Sequence, residues 1–400
     1  MRGLDLPALD RRLRRSCAAP LAVAFSGGGD SLALLLAARA WADAHGRRLL
    51  VLTVDHGLNP DSTAWTERCA LTAERLGLAF RALRWERDKP ATGLPAAARA
   101  ARHALLAEAA REAGARVVLM GHTADDLREA AAMRDEGSTV GDPAEWSPSP
   151  VWPAGRGVFL LRPLLAQGRA ELRDWLRERG ETWIDDPANA DVRYARARAR
   201  LQAPSPPTAP SAAIAPPVYA TLAGGALRLE RSAASAHVAA ACLCAAGTSR
   251  PPRGDRLARL VERLRSTDAF TATLAGARVE ALDDQVLFTR EAGEAARGGL
   301  APIRLVPGET AVWDGRFELT AATAALTVRP LAGLAAGLPA AEQEALRSVP
   351  AAARPALPAI IGPEGPSCPI LAALPPVRVH ALVSPRFEAA TGAVDIEPAV

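Results

Sequence analysis

Short apolar runs alternate with stretches of helical periodicity through the first 200 residues of the chain. Four apolar runs are typical of strands, at 21–25, 48–55, 78–85 and 116–122. Between them apolar residues recur at helical spacing, as Leu32, Leu35 and Leu36 do. Strands that alternate with helices predict an α/β fold, with a mostly parallel, doubly wound sheet covered on both faces.

The connecting segments carry the usual signals of helix ends. The second helix is expected to stop near Gly77, a C-terminal cap. The third should begin around Pro95 and run to about Gly114. A further helix is expected over 169–180, and the segment Asp142–Pro153, which holds two tryptophans and several prolines, is predicted to be a loop.

Composition changes beyond this region. Residues 203–217 are rich in proline, alanine and serine and are typical of a linker. We therefore expect a catalytic domain over 1–202, a middle domain of helices and strands over 218–300, and a smaller C-terminal accessory region over 301–400. Strands are expected near 301–305 and 315–320.

Bulk properties exclude several protein classes. No apolar run approaches the roughly 20 residues of a membrane-spanning helix, and the amphipathic N-terminus lacks the apolar core of a secretory signal. A cytoplasmic location and no membrane partner are expected. The five cysteines are scattered, which argues against a disulfide framework, and the Cys242–Cys244 pair has no companion that would complete a zinc site. The net charge of +4 neither demands nor excludes nucleic acid.

The motif SGGGDS follows the first strand and opens a helix. Its three glycines are expected to allow positive φ and close approach of a ligand, while the helix N-terminus attracts an anion. The acidic side chain within the motif suggests that a cation, Mg²⁺, lies between it and a phosphate. The spacing fits neither GxxxxGK[ST] nor GxGxxG. The predicted phosphate-binding residues are Ser26, Gly27, Gly28, Gly29, Asp30 and Ser31, with Asp30 as metal ligand.

With its flanking strand and helix, this motif resembles the pyrophosphate loop of the N-type ATP pyrophosphatases, the PP-loop family, whose fold is Rossmann-like. The resemblance implies ATP as a substrate, cleaved to AMP and pyrophosphate so that an oxygen is activated by adenylation. It covers residues 20–200 when the later motifs are included.

Those later motifs are VDHGL (54–58), AARAARH (97–103), GHTADDLREA (121–130), LRPLL (161–165) and WIDDPANADVRYARARAR (183–200). In order and spacing they are similar to the tRNA(Ile)-lysidine synthetase family, and VWDGRF (312–317) resembles its accessory region more weakly. The resemblance implies ligation of free L-lysine to C2 of the wobble cytidine of an isoleucine tRNA with a CAU anticodon. Leu127, Ala130 and His103 depart from the family pattern.

Two carboxylates of the fourth motif are the candidate catalytic pair. Asp126 and Glu129 are three positions apart and share a helical face, so we assign them to lysine capture, amine activation or metal binding without separating these roles. Helix capping is the alternative for paired acids and is favoured for Asp125. His122 is a candidate donor to phosphate or to cytidine O2, or a structural histidine. Asp55 is a candidate for adenosine recognition, or a turn former.

A cluster of arginines near the end of the first domain suits contacts with RNA phosphates, although a solvated basic helix is the commoner origin of such a run. The predicted tRNA-binding residues are Arg193, Arg196, Arg198 and Arg200. Trp146 and Trp152 are expected to pack locally rather than to stack on bases.

Two alternatives stay open. One is another PP-loop enzyme that modifies tRNA by thiolation, which the absence of CxxC pairs disfavours. The other is a non-catalytic ATP- or RNA-binding relative. The sequence does not set the oligomeric state, and a homodimer is kept as an option.

Overall fold

A computed structural model describes residues 4–137, 141–185, 215–362, 365–372 and 377–399. The chain divides into two compact units, one formed by Met1–Ala213 with Val394–Val400 and the other by Ile214–Ala393. The predicted linker 203–217 lies almost wholly outside the described residues. The three-part division of the chain therefore stays a prediction, apart from the last residues, which group with the first unit.

The first unit is an α/β fold, as predicted. Its sheet has the order β3-β2-β1-β4-β6-β5, and only β5 runs antiparallel to its neighbour. The strands are β1 (Leu21–Ala24), β2 (Leu49–Asp55), β3 (Ala79–Arg84), β4 (Val117–Leu119), β5 (Trp146–Pro148) and β6 (Phe159–Leu161). The helices are α1 (Pro7–Arg12), α2 (Gly29–His45), α3 (Ser62–Arg75), α4 (Leu94–Glu112), α5 (Ala124–Asp135) and α6 (Arg169–Arg177).

Alternate residues of the central strands face opposite layers. Leu21 and Val23 pack with α2 and α6 in one buried cluster, whereas Ala22 packs with α4 in another. Both faces of the sheet are therefore covered, which explains why these strands read as continuous apolar runs. The strand order reverses between β1 and β4, and in such sheets ligands bind at the carboxyl ends of the strands at that point.

The expectation of a loop over Asp142–Pro153 was wrong for its central part. Residues 146–148 form β5 on the edge of the sheet, paired with β6. Trp146 stacks on Phe159 with ring centroids 4.9 Å apart, so aromatic packing between the two strands stabilises β5. The nearby prolines, which are uncommon in strands, led the sequence pattern to predict a loop. The local packing expected of Trp146 is what the structure contains. The cap at Gly77 is confirmed by its φ of 68°.

The second unit contains three antiparallel sheets. One is formed by β7 (Tyr219–Leu222), β8 (Ala226–Glu230), β9 (Phe270–Leu274), β10 (Ala277–Leu282) and β11 (Gln285–Arg290). The second is formed by β12 (Ile303–Leu305), β15 (Leu326–Pro330), β16 (Pro358–Gly362) and β17 (Gly365–Ser367), and the third by β13 (Thr310–Trp313), β14 (Phe317–Ala321) and β18 (Val377–Ala381). The helices are α7 (Ser235–Ala246), α8 (Gly254–Leu264), α9 (Ala340–Leu346) and α10 (Val383–Ala390).

The VWDGRF motif forms a buried polar cluster in this unit. Asp314 accepts hydrogen bonds from Arg290 at 2.9 and 3.0 Å and from Arg316 Nε at 2.8 Å. All three side chains are at least nine-tenths buried.

Cys242 and Cys244 lie in the packed face of α7 and are fully buried. Among the described residues, no helix combines the length and the apolar character that crossing a membrane requires.

The end of the chain is fastened to the first unit by a buried ion pair. Glu397 accepts from Arg47 at 2.7 and 3.0 Å, and the two side chains are 0% and 1% exposed. The Glu397 backbone N–H donates to the Arg12 carbonyl at 2.7 Å, and the Trp146 indole donates to the Val394 carbonyl at 2.8 Å. The tail is thus part of the first unit's fold.

Glu397→Ala is expected to lower the free energy of unfolding of the first unit by about 3–5 kcal/mol, because it leaves the Arg47 guanidinium buried without its carboxylate. Urea unfolding followed by tryptophan fluorescence measures this, since Trp313 is the one tryptophan of the eight that belongs to the second unit. Asp43→Ala, which removes an exposed pair with Arg39, should change stability by less than about 0.5 kcal/mol. Equal losses of stability in the two variants would contradict a stabilising role for the buried Arg47–Glu397 pair.

Candidate active site

The predicted phosphate loop lies at the carboxyl end of β1 and lines a cavity of about 440 Å³. Ser26, Gly28, Gly29, Asp30 and Ser31 all contribute to its wall. The loop is held by its own hydroxyls, because Ser31 Oγ donates to the Gly28 carbonyl at 2.8 Å and lies 3.2 Å from Ser26 Oγ. The first residues of α2 thus form part of the cavity wall.

The three glycines do different things, which corrects the expectation that all of them adopt positive φ. Only Gly27 does, at 80°, whereas Gly28 caps α2 with φ −74° and Gly29 begins the helix. Gly27 is also covered: its carbonyl accepts from the Ile184 N–H at 2.9 Å, and an added Cβ would lie 2.5 Å from Ile184 Cδ1. A Cβ on Gly29 would lie 3.5 Å from the Trp183 ring. The segment 183–184 therefore packs on the loop.

Gly121 brings the end of β4 against the start of α2. A Cβ at this position would lie 3.2 Å from both the Cα and the N of Ser31, so the start of α2 would have to shift by a few tenths of an ångström to accept it. Gly121 begins the GHTADDLREA motif, but the motif alone does not indicate this close approach. Its lack of a side chain lets His122, which lines the cavity and is 8% exposed, reach the same site as the phosphate loop.

The acidic residues at the start of α5 separate into distinct roles. Thr123 is the N-cap of α5, and Asp126 completes the capping box, because its Oδ2 accepts from the Thr123 N–H at 2.9 Å. The expectation of a cap at Asp125 was wrong. Asp125 instead accepts from the Arg169 N–H at 2.7 Å and from Arg128 at 2.7 Å. Burial alone would raise the pKa of Asp125, but these two donors lower it below its ordinary value.

Arg169, the first residue of α6, joins the candidate catalytic acids to the phosphate loop. Its Nε donates to Asp30 at 2.9 Å and its Nη1 to Glu129 at 3.1 Å, and its Nη2 lies 3.8 Å from Asp126. Burial raises the pKa of Asp30, and the hydrogen bond from Arg169 partly offsets this. No local sequence pattern indicates these contacts of Arg169, because they depend on where α6 begins relative to α2 and α5.

Metal binding can be judged from the donors present. Within the described part of the chain, no three His, Cys, Asp or Glu side chains are grouped as a metal site. Mg²⁺ commonly needs only one or two carboxylates when substrate phosphates supply further oxygens. Asp30, in the cavity wall beside the phosphate loop, fits that smaller requirement.

The opposite wall of the cavity is basic. Arg102 of α4 lines it, and Arg99 and Arg162 are close enough to lower the pKa of the buried His103. Burial is the main cause of that shift, which brings the His103 pKa to about 3, so the ring is neutral at pH 7. Both ring nitrogens of His103 lack a hydrogen-bond partner among the described residues.

The structure does not test the predicted roles of Asp55 in adenosine recognition or of the four arginines in tRNA binding. Asp55 Oδ1 accepts from the Gly57 N–H at 2.7 Å and so forms a turn, while the neighbouring His56 lines the cavity. Burial, followed by Arg102, lowers the pKa of His56. Nucleotide contact by Asp55 stays a prediction. The proposed tRNA-binding residues Arg193, Arg196, Arg198 and Arg200 lie outside the described residues.

Comparison with known proteins agrees with this geometry. The PP-loop domain family matches residues 8–204. A protein of Caulobacter vibrioides named tRNA(Ile)-lysidine synthase is 56% identical over 98% of this chain and 97% of its own length. Proteins of the same name from Hyphomonas neptunium and Mesorhizobium japonicum are 37% and 33% identical, over 70% and 92% of this chain and 84% and 89% of theirs.

Gly121→Ala is expected to weaken ATP binding about tenfold or more, equivalent to about 1.4 kcal/mol, because the new methyl group displaces the start of α2. Titration with a fluorescent ATP analogue measures the dissociation constant. Gly141→Ala is the matched control, since a Cβ there meets no atom within 4 Å. Unchanged affinity in a folded Gly121→Ala variant would show that the start of α2 does not bind the nucleotide.

His103→Tyr is expected to reduce the loss of stability on acidification. In the unfolded chain the imidazole takes up a proton near pH 6.5, whereas in the folded chain it does so only near about 3. The stability linked to the neutral ring is therefore present above pH 6.5 and is lost as the pH falls, by about 1.4 kcal/mol per pH unit. Urea midpoints between pH 7 and 5 should fall less steeply for the variant. Parallel slopes would be inconsistent with a neutral His103.

Proposed function

The chain belongs to the tRNA(Ile)-lysidine synthase family, and from this premise we propose that it ligates lysine to C2 of the wobble cytidine of an isoleucine tRNA with a CAU anticodon. ATP is consumed through an adenylated cytidine, and the products are lysidine, AMP and pyrophosphate. The supporting observation is that Asp126 and Glu129 lie within reach of the guanidinium that also binds Asp30 of the phosphate loop.

In the first step the cytidine O2 attacks the α-phosphorus of ATP and pyrophosphate leaves. The free N–H groups at the start of α2 and the partial positive charge of its N-terminus stabilise the phosphate oxygens. Arg102 and Arg173 on the cavity wall add positive charge. Asp30 is the residue that would hold Mg²⁺, which when bound neutralises further phosphate charge. His122 is positioned to donate a hydrogen bond to a phosphate oxygen or to O2.

In the second step the lysine ε-amine attacks C2, and AMP leaves with the former O2. The amine must first lose a proton, which at pH 7 costs about 4–5 kcal/mol from a pKa near 10.4. The carboxylates of Asp126 and Glu129 bind the ammonium beforehand and offset part of that free energy. Asp126 lines the cavity and accepts from the Thr123 N–H, whereas Glu129 is buried and accepts from Arg169, so we assign receipt of the proton to the pair.

Recognition of the tRNA requires the wobble base to leave its stack, which costs little in a single-stranded anticodon loop. We assign phosphate contacts to Arg193, Arg196, Arg198 and Arg200, as the sequence predicts. A cytoplasmic location follows from the substrate.

The test is incubation of the chain with ATP, labelled lysine and a CAU-anticodon tRNA, followed by nucleoside analysis of the tRNA. We expect labelled lysidine, with pyrophosphate release that depends on the tRNA. A chain that binds ATP but releases no pyrophosphate would be a non-catalytic relative, and the proposal would be wrong.

Glu129→Gln is expected to raise the KM for lysine about 10–100-fold, because a hydrogen bond to a charged group contributes about 1.5–3 kcal/mol. The KM for ATP should change by less than about twofold, because the substitution removes a contact with lysine and none with ATP. Glu136→Gln, an exposed position at the end of the same helix, is the control and should change neither constant. Equal increases in both KM values would defeat the assignment of Glu129 to lysine.

A further inference from the structure

The start of α6 is fixed beside the start of α5 by backbone contacts. The Ala124 N–H donates to the Gln167 carbonyl at 3.0 Å, and the Arg169 N–H donates to Asp125 at 2.7 Å. The Arg169 side chain therefore leaves the backbone at a defined point next to the acidic turn of α5. Its side chain is 20% exposed, so most of its contacts are made inside the protein.

The guanidinium is shared by two helices that are far apart in sequence. Nε binds Asp30 of α2, while Nη1 binds Glu129 of α5, whose side chain is only 4% exposed. The planar fork of an arginine can satisfy acceptors in two directions at once, which a lysine ammonium on a flexible stem does less well. Arg169 thus sets the distance between Glu129 and the phosphate loop.

Charge balance supports a role in the reaction rather than in folding alone. Asp30, Asp126 and Glu129 bring three carboxylates to the Arg169 guanidinium, so negative charges outnumber positive ones among these four side chains. Asp30 lies in the cavity wall beside the phosphate loop, and Asp126 lines the same cavity. A residue that touches both sets of acids controls how the two substrates are aligned, and misalignment by about 1 Å can cost about 100-fold in rate.

We propose that Arg169 is a positioning residue: it holds Glu129 and Asp126 in the orientation that receives the lysine ε-ammonium, in register with the triphosphate bound at α2. This inference rests on the proposed function and extends it to a residue outside the recognised catalytic pair. Arg169 acts through these carboxylates and takes no part in bond making.

The experiment compares Arg169→Met, Arg169→Lys and Arg169→Ala in the lysidine assay. Arg169→Met should raise the KM for lysine at least about tenfold, while the KM for ATP changes by less than about twofold. Arg169→Lys should raise the KM for lysine less than Arg169→Met does, because lysine keeps the positive charge but lacks the planar guanidinium that binds two carboxylates. Millimolar guanidinium chloride, well below denaturing concentrations, should lower the lysine KM of Arg169→Ala and should not rescue Glu129→Ala.

The control is Arg81→Met, which removes an exposed arginine of β3 that pairs with Glu112. It should change neither KM. A merely structural role for Arg169 would raise both KM values together, lower the melting temperature and give no rescue by guanidinium, and that result would overturn the proposal. An unchanged lysine KM in Arg169→Met would also overturn it. If the unaltered chain makes no lysidine, the proposed function fails as well; if it does, only the role of Arg169 is at stake.

Discussion

The salt bridges of Arg169 are the interaction on which the site depends. Parallel strands bring the starts of α2 and α5 to the same edge of the sheet, and each start attracts negative charge. Left alone, the acids on the two helices would repel one another. The guanidinium between Asp30 and Glu129 compensates that repulsion and fixes their spacing. Arg169 therefore connects the phosphate loop to the candidate lysine-binding acids, of which Asp126 lines the same cavity as the loop.

Elsewhere among the described residues, several buried charges are matched by an opposite charge. Arg47 and Glu397 pair inside the first unit, and Arg290, Asp314 and Arg316 form a cluster inside the second. Such groups add less to net stability than their Coulomb attraction suggests, but losing one partner is strongly unfavourable. In the first unit, the Arg47–Glu397 pair holds the residues around Glu397 against the α/β fold.

Local sequence patterns predicted the central sheet well, because strands that are buried on both faces consist of consecutive apolar residues. Glycines at helix C-termini also marked where helices end. The phosphate loop was also predictable, although only Gly27 uses the conformational freedom that suggested it. What failed depends on distant contacts. β5 is stabilised by Trp146 against Phe159, Arg169 acts across α2 and α5, and Glu397 pairs with a residue 350 positions earlier. No local window of sequence contains these partners.

The central claim is that phosphate transfer and amine capture occur in the same cavity in two separable steps. It is tested most directly with ATP radiolabelled at its α-phosphate, a CAU-anticodon tRNA and no lysine. Label should become covalently attached to the tRNA with release of pyrophosphate, and later addition of lysine should release it as AMP while lysidine forms. Label that never joins the tRNA, or that is released at the same rate without lysine, would contradict the account.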